Sequence, residues 1–180
     1  MIKNFIFAAI ALLSASLFAQ DLAKPQIKLS PDGFSYVQLR TLAVGGSPYY
    51  QAVISAICRN GDLGTVPDYA SAATWAKQSA DAKNPLGLYE LAALTGGGFG
   101  VQADKEKAEA LFKEAAPGLA SLSESGDFRA CYAYAYLLYA GRGGVAQDKA
   151  KAAVLFQKAA EAGDLHAAYM TGSLFQRGEG

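Results

Sequence analysis

The chain repeats itself, and that constrains its fold more than any other feature. Three segments align without gaps: Asp68-YASAATWAKQSA, Asp104-KEKAEALFKEAA and Asp148-KAKAAVLFQKAA. Each opens on Asp, carries Ala at plus four, and has a large apolar residue at plus seven (Trp75, Leu111 and Leu155). Ala80, Ala116 and Ala160 follow at plus twelve. Offsets of four, seven or eight, and twelve draw one apolar stripe along a helix of 3.6-residue period. An Asp at the start accepts the free amide hydrogens of the first turn and complements the helix dipole. Pro117 predicts a boundary after the second of these helices, because its ring and missing donor oppose continuation.

A second helical pattern precedes each of these. Asn84-PLGLYELAALTGG, Asp127-FRACYAYAYLLYAG and Asp164-LHAAYMTGSLFQRG align, with Ser47-PYYQAVISAICRNG as a weaker first copy. Plus seven holds Ile54, Leu91, Tyr134 and Thr171, and plus eight is always small: Ser55, Ala92, Ala135 and Gly172. A small residue there lets a paired helix approach closely. Gly61, Gly98, Gly141 and Gly178 at plus fourteen predict left-handed helix ends. The turns that follow offer Val66, Val101 and Val145 as buried apolar members. Pair starts are spaced by 37, 43 and 37 residues, the longer interval assigned to an inter-repeat loop, PGLASLSESG. Neither helix of a pair can bury its face alone, so the expected fold is all-α, an α/α solenoid of stacked helix pairs.

The run GD-x-x-A with a later Y/F-x-x-G-x-G, then V-x-x-D and a spaced A-x-x-L/W-x-x-x-A-A, resembles the Sel1-like repeats, relatives of the tetratricopeptide repeats. The clearest copy spans residues 126–164, and the resemblance covers roughly 47–180. Tyr134-Ala135 stands where the family has Leu-Gly, and Ser47 where it has Asp. The resemblance implies a right-handed stack of antiparallel helix pairs and an adaptor role in signalling, assembly or envelope processes. It supplies no ligand, since a repeat scaffold leaves its surface free. The chain ends Phe175-QRGEG, where a fourth first helix turns toward its second, so the repeat domain 47–180 reads as incomplete at its C-terminus. Residues 20–46 read as a tether and a capping helix over Phe34–Val44, although the alternation there also admits a short strand.

Residues 1–19 have the order of a secretory signal peptide: Lys3, the apolar run Phe5–Leu13, then small residues up to Ala19. Cleavage after Ala19 is expected, with Leu17 an atypical minus-three residue; an uncleaved anchor is the alternative. The reading places the mature protein in the periplasm or outside the cell, meeting a membrane only transiently during export. Sixteen Lys plus Arg balance sixteen Asp plus Glu, which gives no basic footprint for nucleic acid.

Chemistry has little support in the sequence. The single histidine, His166, forbids a His-rich metal site, and no metal or other cofactor is expected. Cys58 and Cys131 sit two repeats apart, whereas packed helices are about 10 Å apart and a disulfide needs Cα atoms within about 7 Å. Both are expected to be buried and unpaired. Gly96-GGFG and Gly141-RGG lack the Gly-Lys-Ser/Thr of a phosphate loop. Asp68, Asp104 and Asp148 read as caps. Glu106, Glu109 and Glu114, interleaved with Lys105, Lys107 and Lys113, read as a solvated face. No catalytic residue is named.

Ten tyrosines are the strongest functional signal. Arg129, Tyr132, Tyr136 and Tyr139 fall at plus two, five, nine and twelve, one face of a helix. By resemblance to tetratricopeptide repeats, these offsets point into the concave groove. Tyr89, His166 and Tyr169 occupy matching offsets in other copies. Tyrosine joins a rigid apolar face to a hydroxyl, a pairing enriched at binding hot spots. The expected function is an interaction scaffold holding a protein or peptide segment on this face, through Tyr89, Arg129, Tyr132, Tyr136, Tyr139, His166 and Tyr169. The alternative is a cell-wall glycan-handling or hydrolytic enzyme, which needs two carboxylates about 5 Å or about 6.5–9.5 Å apart in the groove.

Overall fold

The computed structural model describes residues 28–179, so the expected signal peptide lies outside the described residues. Eight α-helices form within them: α1 (Tyr36–Val44), α2 (Pro48–Asn60), α3 (Tyr69–Asp81), α4 (Pro85–Gly97), α5 (Lys105–Glu124), α6 (Phe128–Ala140), α7 (Lys149–Glu161) and α8 (Leu165–Arg177). Each packs on the next, and α2, α4 and α6 also touch in succession. Helices α2, α4 and α6 thus form an inner layer, with α3, α5 and α7 outside it. The fold is an all-α solenoid of paired helices. No helix among the described residues is long and apolar enough to cross a membrane.

The expected caps close the helices. Asp68, Asp104, Asp127, Asp148 and Asp164 each accept the amide hydrogen of the residue three places on. Helices α2, α4, α6 and α8 end at Gly61, Gly98, Gly141 and Gly178, all left-handed, with φ between 64° and 76°. Segment Phe34–Val44 resolves to helix: Ser35 and Gln38 make a capping box, and Leu39 and Ala43 are fully buried.

Packing follows the small residues. Ser55, Ala92 and Ala135 are 0% exposed, and Ser55 Oγ donates to the Ala72 carbonyl at 2.8 Å. At Gly87 the approach is closer still, because a Cβ there would fall on the Ser79 side chain. The outer-helix stripe is centred at plus eight, where Ala76, Phe112 and Phe156 are fully buried. At plus seven Leu155 is buried, but Trp75 and Leu111 are only half-buried.

Two expectations are corrected. Pro117 does not end its helix: α5 runs through it to Glu124, and PGLASLSESG is mostly helix rather than loop. Pro117 lies on the exposed side, while the stripe Ala108, Phe112, Ala115, Leu119 and Ser123 stays buried past it. An interior proline costs about 3 kcal/mol, and burying Leu119 together with half-burying Leu122 offsets that at about 1.5–3 kcal/mol for a fully buried side chain. Val66 is 78% exposed, and Leu63 (φ 54°), in a short 3₁₀ turn at Asp62–Gly64, packs instead against the core around Leu39, Ile54 and Ala73. Val101 and Val145 do pack against the core.

Candidate concave binding site

Curvature of the inner layer encloses a cleft of about 580 Å³. It is lined by α2, α4, α6, the start of α8, the turn after α2, and the segment Lys28–Pro31; no residue of α3, α5 or α7 reaches it. Its walls are apolar at Val53, Ile57, Phe128, Leu165 and the Tyr132 ring, and its polar groups are mostly ionisable, with Ser30 and Asn60 neutral among them.

The floor is an ion pair. Arg59 donates through Nε to Glu90 Oε2 at 2.9 Å and through Nη2 to Oε1 at 3.2 Å, and only 8% of the Glu90 side chain is exposed. The Glu90 carboxylate holds the guanidinium even more firmly protonated than usual. Beside it, burial pushes the Tyr132 hydroxyl up to about 12. Glu90 stands at plus six, where the other copies carry Val53, Ala133 and Met170. A lone carboxylate in an apolar register was the signal for this pair.

The start of α8 and the turn after α2 meet across the mouth. His166 Nε2 lies 3.2 and 3.3 Å from the Asp62 carboxylate oxygens and 3.0 Å from Asn60 Nδ2, over a separation of more than one hundred residues. A protonated ring donates to Asp62, whereas a neutral Nε2 lone pair accepts from Asn60. The Asp62 bond raises the His166 pKa, partly opposed by burial. Burial would raise Asp62, but the bonds from His166 and Asn60 outweigh it and hold it below the usual carboxylate range. The clasp therefore adds stability that is full below about pH 6.5, the unfolded histidine value, as long as Asp62 stays ionised, and is lost as pH rises through the higher folded value. Thermal unfolding at pH 5.5 and 8.5 is expected to show a larger alkaline loss in the wild type than in His166→Gln. Parallel losses would mean that the clasp carries no proton-linked stability.

A third network ties α6 to the N-terminal segment. Arg129 donates to Asp32 at 3.1 and 3.3 Å and to Tyr49 Oη at 3.1 Å, and Tyr49 donates to Asp127 at 2.7 Å. Its guanidinium lies over Phe128, 4.3 Å from the ring centroid.

Of the residues expected on the groove, Arg129, Tyr132 and His166 line the cleft together. Tyr89 is 4% exposed, its ring against Phe112 and Tyr136, and burial raises its pKa well above the ordinary value. Tyr136 is half-buried beside Tyr89, outside the cleft lining. Tyr139 sits under Arg177 and accepts its hydrogen bond at 3.2 Å. Tyr169 is 76% exposed on the outer turn of α8. Arg59 falls at the plus-twelve groove offset shared with Tyr139 but was not named among the binding residues, and Glu90, Asp62 and Asp32 were not named as parts of this site. Glu109, expected on a solvated face, pairs with Arg142 and accepts the Gly143 amide at 3.0 Å, fastening the turn after α6. Cys58 and Cys131 are buried and free. Among the described residues no group of three or more His, Cys, Asp or Glu could hold a metal ion.

The model of the Sel1 repeat matches residues 49–84, 85–116 and 128–164, more than half of the chain. The chain belongs to the Sel1 repeat family. The unmatched stretch between the second and third Sel1 repeats coincides with the extra turns of α5 beyond Pro117. Among solved structures, a Sel1 repeat protein from Oxalobacter formigenes is 28% identical over 74% of this chain and 51% of its own, with a TM-score of 0.43. A protective antigen present in uropathogenic Escherichia coli strains, displaying an SLR fold, is 22% identical over 79% of this chain and 36% of its own, also at 0.43. The chain thus spans about half or less of each of these relatives. Comparison with proteins of curated function finds no match. Sel1 repeats generally mediate protein–protein interaction.

Proposed function

We propose that this protein is an exported scaffold, periplasmic or secreted, that holds a peptide or protein segment in the concave cleft. The observation that carries the reading is the cleft itself, an apolar-walled channel with Arg129, Tyr132 and His166 on one side and the Arg59–Glu90 pair on its floor. Tyr132 supplies a large face and a hydroxyl at the groove. Tyr136 and Tyr139 follow Tyr132 along α6, Tyr89 packs against Tyr136 from the core, and Tyr169 stands 76% exposed on α8, open to the same partner. Export rests on the order of residues 1–19. The glycan-hydrolysing alternative gains no support from this cleft, because Glu90 and Asp62 are bonded to Arg59, Asn60 and His166, and Asp164 caps α8.

One experiment tests both location and face. A photoreactive phenylalanine analogue replaces Leu165 on the cleft, or Gln157 on the outer helix α7, in the full chain expressed with its own N-terminus. The expected result is a cross-linked protein from the Leu165 position alone, recovered from the periplasmic or secreted fraction, with the scaffold beginning near Gln20. Equal capture at Gln157 contradicts the concave geometry, and an intact Met1 in those fractions contradicts cleavage.

A further inference from the structure

The segment Leu29–Ser35 is a small closed turn lying against the concave face. Leu29 and Ser35 form an antiparallel bridge, and the Ser30 amide donates to the Phe34 carbonyl at 2.8 Å. The Gly33 amide donates to the Ser30 carbonyl at 2.8 Å, with Gly33 in the left-handed region at φ 83°. Ser30 is 7% exposed and its hydroxyl donates to the Asp32 carboxylate. At the tip, Asp32 reaches Arg129 of the third repeat, 97 residues away in sequence. Phe34 sets its ring edge-on to Tyr50, and Pro31 lies beside Gly163.

Arg129 depends on this turn. Its side chain is 15% exposed, and Asp32 is the carboxylate it bonds. The other cation of the cleft floor, Arg59, is already held two-pronged by Glu90 on a neighbouring inner helix. Lifting the turn would leave Arg129 with the neutral Tyr49 hydroxyl alone. Losing one partner of a largely buried ion pair is costly, so an anion that takes the place of Asp32 restores what Arg129 loses when the turn lifts.

We infer that residues 29–34 are a built-in pseudo-ligand, and that Arg129 with Phe128 and Tyr132 forms a carboxylate-reading pocket for an acidic segment of a partner protein. This rests on the concave-scaffold reading above and specifies its partner. Such a partner presents an Asp or Glu carboxylate to Arg129 and an apolar side chain to Phe128 and Tyr132, replacing Asp32. A planar guanidinium takes a carboxylate two-pronged, a geometry that ammonium groups do not reproduce. Tethering gives the turn a high effective concentration, which sets a threshold that partner segments have to exceed.

The test uses the full chain and a fluorescent acetyl-Leu-Ser-Pro-Asp-Gly-Phe-amide peptide, which copies residues 29–34. In the Asp32→Gly/Phe34→Gly variant the turn loses both anchors. The peptide is expected to bind this variant at least tenfold more tightly than wild type, read by fluorescence anisotropy. Adding Arg129→Gln to the variant, or replacing the peptide Asp by Asn, is expected to abolish the gain. Circular dichroism checks the fold; should the double variant lose its helical signal, Asp32→Asn alone keeps the turn and is expected to gain at least threefold. Equal binding to wild type and variant, a gain that survives Arg129→Gln, or a preference for the Asn peptide overturns the pseudo-ligand. Those results would leave the scaffold reading standing if cross-linking at Leu165 still captures a partner, and the absence of such capture would remove the scaffold reading itself.

Discussion

Phe112→Ala is expected to lower folding stability by about 3–5 kcal/mol, the range for removing a fully buried phenylalanine. The ring is 0% exposed at plus eight of α5 and meets Tyr89 at a centroid distance of 5.6 Å. The Arg142 guanidinium also lies over the ring, 4.5 Å from its centroid. Phe112 therefore joins the second helix of one repeat to the first helix of the same repeat and to the turn between the two helices of the next. Stability in a solenoid is a sum of repeat and neighbour terms, so cutting one junction is also expected to broaden the urea transition. Val154→Ala on α7, where the side chain is 55% exposed, serves as the control and is expected to stay within about 0.5 kcal/mol. A Phe112→Ala loss no larger than the control's would contradict the plus-eight register.

Glu90→Ala is expected to cost about 3 kcal/mol, the low end for breaking a buried ion pair, because it strands Arg59 among Tyr89, Tyr132 and the inner helices. The low end applies because 23% of the Arg59 side chain still meets solvent. Replacing both partners together, Arg59→Met with Glu90→Leu, is expected to return close to native stability, since two apolar groups of similar volume need no counter-ion. The coupling between the two positions is read from a double-mutant cycle by chemical denaturation. Additive losses would mean that the two side chains do not interact in the folded protein.

The local grammar of the repeats was legible residue by residue. The aligned Asp and Gly positions gave the helix ends, and Ser55, Ala92 and Ala135 marked the close contacts. Pro117 was misread because a local rule against interior proline was outweighed by a stripe continuing through Leu119 to Ser123. The plus-five position shows a different limit. Ala52 and Tyr89 are buried, Tyr132 is half-buried and Tyr169 is exposed, although all four share one register. Their burial depends on what stacks on either side, not on the helix they belong to. The cross-groove contacts were beyond the sequence for a related reason. Arg129 meets Asp32, and His166 meets Asp62, only because small rotations between successive repeats accumulate into a curve that brings distant segments together. No spacing in the sequence records that sum.

The concave aromatic face is proposed to bind a partner segment. The most direct measurement is the affinity of the protein captured through Leu165 for wild type and for the Tyr132→Ala/Tyr136→Ala variant, with helicity followed by circular dichroism. A preserved helical signal and a loss of at least about 1 kcal/mol, roughly fivefold in Kd, are expected. Unchanged affinity in a folded variant, or a collapse of the helical signal showing that the rings only fill the core, would contradict the proposal.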